Sequence, residues 1–61
     1  MIELENVRYF GTSGKADCYH LNGKELWFSK KLIQKGYVKF DGTKLYVADW
    51  LYKDMKEKNK I

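Results

Sequence analysis

The chain has 61 residues, and folding at that size removes only about 60% of an unfolded chain's surface from water. One domain spanning 1–61 around one small core is the limit, which excludes a two-domain enzyme or a roomy cofactor pocket. Twelve basic residues against eight acidic ones give a net charge of +4, a field that attracts nucleic acid, anionic lipid or an acidic protein surface without choosing among them.

Small scaffolds need staples, and few are at hand. Cys18 is the one cysteine, so no internal disulfide forms, and Cys18 with His20 falls short of the ligand set of a zinc site. No metal or cofactor is expected. Two Trp, five Tyr and three Phe supply large apolar area per residue instead. No apolar stretch approaches the roughly 18 residues of a membrane span and no signal-peptide pattern opens the chain, so a soluble, cytoplasmic protein without membrane contact is expected.

In chain order, the first predicted strand covers 2–10. Ile2 and Leu4 alternate with Glu3 and Glu5, then Val7 and Tyr9 become the apolar pair, a phase change that predicts a bulge or strong bend near Glu5–Asn6. Gly11-Thr12-Ser13-Gly14 reads as a mobile loop. With Lys15 it is superficially similar to a phosphate-binding loop, but it lacks the four-residue spacing and the Ser or Thr after the lysine; a backbone phosphate contact is the most it offers. Predicted strands at 15–21 and 24–28 join through Asn22-Gly23, a two-residue hairpin turn, which sets Tyr19 opposite Leu26, Cys18 opposite Trp27 and His20 opposite Glu25. Both faces of this hairpin are apolar, as a coiled sheet or small barrel with a covered outer face would show.

Ser29 is placed to cap a helical turn over 30–35, with Leu32 and Ile33 inward and Gly36 closing it. The next hairpin is read with Asp41-Gly42 as its loop. That register sets Lys39 opposite Lys44 and Tyr37 opposite Tyr46, with Val38, Phe40, Leu45 and Val47 on the core face. Asp49 is a good N-cap for a final helix over 50–58, with Leu51 and Met55 inward and Asp54 and Lys58 in the favourable i, i+4 order.

Cys18 and His20 share a strand face, as a nucleophile and base would, yet nothing nearby suggests an oxyanion hole. Cys18 is read as packed and His20 as an ion-pair partner of Glu25, and the protein as not an enzyme. Trp27 and Trp50 are read as core anchors. The charge is concentrated in residues 24–44, where six lysines face two acids. Lys39 opposite Lys44 is unfavourable unless an anion lies over the pair, and the flanking Tyr37 and Tyr46 offer rings on which unpaired bases stack. Tyr37, Lys39, Lys44 and Tyr46, extended by Lys30, Lys31 and Lys35, are therefore the candidate site for nucleic acid or a host protein.

The segments Leu26-Trp27-Phe28-Ser29-Lys30-Lys31-Leu32-Ile33 and Val47-Ala48-Asp49-Trp50-Leu51 resemble those of short phage and prophage proteins of mostly unassigned function. Those carry a Trp-x-Pro-Lys-Ser-x-Ile segment after a hairpin and a Val-Pro-Glu-Trp-Leu segment opening a final helix. Here Ser29, Lys31, Ala48 and Asp49 stand where that group has Pro, Ser, Pro and Glu. The resemblance implies a mobile-element origin and a small β-rich fold, and implies no catalytic activity.

The expected architecture is mainly β: a small bent antiparallel sheet or SH3-like barrel of about five strands, with a helical turn and a C-terminal helix. The expected function is a non-enzymatic, phage-type module that binds nucleic acid through a basic and aromatic sheet face. The alternative is an anti-defence protein that inhibits a host enzyme or defence complex. An exposed edge strand in so small a domain would also suit pairing of two copies into a homodimer.

Overall fold

A computed structural model describes all 61 residues. The elements are β1 (Ile2–Leu4), β2 (Arg8–Ser13), β3 (Ala16–Leu21), β4 (Lys24–Ser29), α1 (Lys30–Gln34), β5 (Val38–Asp41), β6 (Lys44–Val47) and α2 (Asp49–Glu57). They form two three-stranded antiparallel sheets, ordered β1-β6-β5 and β2-β3-β4. The expected mainly-β, strongly bent architecture is present, as two small sheets rather than a closed barrel.

The predicted first strand is two strands, and the phase change marks where it divides. Ile2 and Leu4 pair with Val47 and Leu45 in one sheet. Asn6 then adopts φ 59°, a left-handed conformation that Asn tolerates better than most residues, and the chain crosses into the other sheet. Val7 at this corner is 1% exposed, and its N–H donates to the carbonyl of Thr43 at 2.9 Å. Val7 is thus buried between the sheets and bonds the corner to the β5–β6 turn.

The Asn22-Gly23 hairpin has the expected register, Tyr19 with Leu26, Cys18 with Trp27 and His20 with Glu25. Positive φ at both turn residues, 52° and 80°, is what a type I′ turn requires. The glycine-rich stretch is not a loop: Gly11, Thr12 and Ser13 belong to β2, and the turn is Gly14-Lys15 alone. A bulge between Tyr9 and Gly11 makes Phe10 the extra residue on β2.

The core gathers Val7, Tyr19, Leu26 and Phe28 with Val38, Leu45 and Val47, closed by Leu51 and Met55 of α2. Tyr19 bridges the sheets, its ring centroid 5.0 Å from that of Phe40 and 6.0 Å from that of Phe28. Ser29 caps α1 as expected, its Oγ accepting from the Lys31 N–H at 3.2 Å, and Leu32 and Ile33 pack half-buried on the core. In α2, Ala48 takes the N-cap position without a side-chain bond, which moves Asp49 into the first turn. A carboxylate there still complements the helix dipole. Lys58 and Asp54 form the anticipated pair at 3.2 Å.

Candidate binding surfaces

The β5–β6 register differs from the sequence reading. Asp41 pairs with Lys44, Phe40 with Leu45, Lys39 with Tyr46 and Val38 with Val47, so the two-residue loop is Gly42-Thr43. Gly42 provides the positive φ, 66°, that this tight turn needs, and the Thr43 N–H donates back to the Asp41 carbonyl at 2.6 Å. The physical reason for the difference is charge: this register sets Asp41 opposite Lys44, whereas a turn at Asp41-Gly42 would oppose two lysines. The pairing moves by two residues, so every side chain keeps its face.

Lys39 and Lys44 consequently do not confront each other. The outer face of this sheet carries Glu3, Tyr46 and Lys39 in one cross-strand row and Lys44 with Asp41 in the next. Lys44 Nζ lies 3.7 Å from Glu3 Oε1. Two acids balance two lysines there, leaving Lys39 as the cation without a carboxylate partner. Tyr46 is half-buried; desolvation first, then the Glu3 carboxylate beside it, pushes its phenol pKa up. Tyr37 lies outside the strand, its ring 5.3 Å from that of Trp50 and edge-on to it. The structure thus keeps Lys39, Lys44 and Tyr46 on one outer face but sets Glu3 and Asp41 among them, and it holds Tyr37 beyond the strand against Trp50.

The lysines of α1 are placed differently. An open groove of about 460 Å³ is lined by Gly14, Lys15, Ser29, Lys30, Lys31 and Gln34. The pairing of Ala16 with Ser29 brings the β2–β3 turn beside the start of α1, and a hydrogen bond from the Lys30 N–H to the Lys15 carbonyl, 2.8 Å, holds it there. Three exposed lysines therefore converge with no carboxylate among the lining residues. Lys35, at the C-cap of α1, is exposed as well. Of these, Lys15 was not among the expected site residues; only its position in a tight turn, rather than a mobile loop, brings it to the groove.

A second surface is apolar. On the outer face of β2-β3-β4, Phe10 is 66% exposed and Trp27 is 49% exposed. Trp50 is also exposed, so neither tryptophan is the core anchor that was expected. The Phe10 ring stacks on His20 at 4.0 Å and 15°. The Trp27 indole N–H donates to Glu25 Oε2 at 3.2 Å. These contacts replace the expected His20–Glu25 ion pair. Strand alternation carried the signal for Trp27, because Leu26 and Phe28 point into the core and the residue between them must point out.

Cys18 lies under this face, fully buried. Burial first, and the Glu25 charge second, push its thiol pKa up, away from the thiolate form a nucleophile needs. The packed role expected for Cys18 matches this environment.

The two-sheet β fold with a basic groove and an exposed aromatic face defines a small β-rich protein. Compared with known proteins, the chain matches no family, no curated protein and no solved structure.

Proposed function

We propose that this protein is a small non-enzymatic binding module of the phage type, and that it engages nucleic acid with phosphates seated over Lys15, Lys30 and Lys31. Lys35 extends the track along α1. The observation that carries this reading is the groove itself, where three lysines converge without a carboxylate to neutralise them. Such an arrangement repels itself in the absence of an anion, and polyanion binding relieves the repulsion. Lys39 adds to the field from the neighbouring sheet, while Lys44 is already engaged by Glu3 and faces Asp41.

Fluorescence anisotropy with single- and double-stranded oligonucleotides tests the reading. With three phosphate contacts, log K should fall against log salt with a slope of about −2 to −3. Lys30→Glu with Lys31→Glu should abolish binding at 50 mM salt, whereas Lys39→Glu should weaken it only modestly. Absence of binding at 50 mM salt, or binding indifferent to salt, would falsify it.

A second reading, inhibition of a host enzyme or defence complex, draws on Trp50. That side chain is 54% exposed and meets Tyr37 edge-on, the kind of aromatic anchor that dominates protein interfaces. It requires a stoichiometric host protein, retained after nuclease treatment and lost in Trp50→Ala.

A further inference from the structure

The outer face of β2-β3-β4 exposes two large rings, Phe10 and Trp27, on one side of a single sheet. Reading across the sheet, one row runs Arg8, His20, Glu25, the next Gly11, Cys18, Trp27, and the next Ser13, Ala16, Ser29. The bulge sets Phe10 beside Gly11, on top of His20. Neighbouring strands lie about 4.8 Å apart, so the backbones that carry Phe10 on β2 and Trp27 on β4 are roughly 10 Å from each other across the centre of the sheet. Between them lie only Gly11, which has no side chain, and Cys18, which is small and buried. A Cβ built on Gly11 would meet no other atom within 4 Å, so the space above its backbone is open.

The same face leads into the lysine groove. Trp27 and Ser29 are two residues apart on β4, a rise of about 7 Å, and Ser29 lines the groove with Lys15, Lys30 and Lys31. The backbone position that carries the indole therefore lies within about one nucleotide's length of the groove's rim. The indole is also held in place: Glu25 accepts its N–H and fixes its orientation. The row of His20 ends in Arg8 at one edge and Glu25 at the other, so it adds no net charge and leaves the lysines of the groove as the positive field beside the rings.

We infer that this face is a stacking platform for single-stranded nucleic acid, with bases lying on Phe10 and Trp27 while the backbone follows Lys15, Lys30 and Lys31. The inference rests on the proposed phosphate role of the groove and adds the strandedness of the ligand and the two residues that contact its bases. Charge complementarity with the adjoining lysines is what selects an anionic, base-bearing occupant over an apolar protein surface. A duplex, whose bases are already stacked on one another, cannot offer them to the rings.

The test uses Trp50→Phe, which leaves Trp27 as the sole tryptophan, with three probes: a twelve-nucleotide oligothymidylate, an abasic strand of the same length and charge, and a duplex. The oligothymidylate should quench Trp27 emission and bind on the order of tenfold more tightly than the abasic strand, the size expected for loss of base–aromatic stacking. Phe10→Ala should erase most of that difference, and a dispersed amide spectrum will confirm that this exposed site tolerates the change. Equal affinity for the base-bearing and abasic strands, without quenching, overturns the platform and leaves the phosphate groove standing. Failure of all three probes to bind removes both. A dimer of the free protein that Trp27→Ala separates assigns the face to a second copy and also overturns the inference.

Discussion

Asn6 shows how much one residue decides. Its φ of 59° turns the chain from one sheet into the other, and its side chain is exposed, so substitutions there act through backbone conformation alone. Asn6→Gly should leave the unfolding midpoint nearly unchanged. Asn6→Val, which brings a β-branched side chain into the left-handed region, should cost about 1–2 kcal/mol by urea denaturation; no loss would mean that the corner adopts another conformation. The sequence showed that a break was needed near Glu5–Asn6, because the apolar alternation changed phase. It could not show that the break joined two sheets, since phase reveals which face a residue takes but not which partner lies opposite. Trp27 is legible only through alternation: the apolar Phe28 that follows it suggests a core anchor, but Leu26 and Phe28 take the core face and leave the indole outside.

At the scale of elements, hairpins were the most legible feature, and their turns decided where legibility ended. Asn22-Gly23 has a single good solution because both residues accept positive φ. Asp41-Gly42-Thr43 has two, and the choice between them falls to cross-strand charge. Because faces survive a two-residue change of register, the core residues Val38, Leu45 and Val47 were identified correctly while the cross-strand partners were not. The proposed basic face depended on partners, so it was the part that changed. The two registers make opposite predictions for Lys39→Asp. With Lys39 opposite Tyr46 and in the same row as Glu3, the substitution should leave stability unchanged or slightly lower, whereas opposite Lys44 it would add up to about 1 kcal/mol. Denaturant midpoints for Lys39→Asp and Asp41→Lys decide it; the latter, which creates a like-charge pair with Lys44, should lower stability by a similar amount.

For the molecule as a whole, three protons tie stability to pH in one direction. Cys18, Tyr19 and Tyr46 all have pKa values raised in the folded protein: Cys18 and Tyr19 chiefly by burial, with Glu25 adding to the first and Asp17 and Tyr9 to the second, and Tyr46 by desolvation and then Glu3. The native state holds these protons to higher pH than the unfolded chain does, so their stabilisation is complete below the ordinary cysteine value of 9.0 and is lost as pH rises through the folded values. Urea midpoints should be flat with respect to these groups up to about pH 9 and decline beyond it. Cys18→Ala should delay the decline to the tyrosine range; an identical profile would show that the thiol takes no part. The arrangement of the two sheets also bears on how the chain reaches this state. Strands β2, β3 and β4 form a meander of neighbours in sequence, whereas Ile2 finds Val47 only by closing a loop that spans residues 2 to 47. Loop closure on that scale is slow relative to hairpin formation. The meander that bears Phe10 and Trp27 can therefore form from local contacts, as can the β5–β6 hairpin, and the β1–β6 ladder across the Asn6 hinge is expected to form late; kinetic φ values near zero at Ile2 and higher at Leu26 would bear this out.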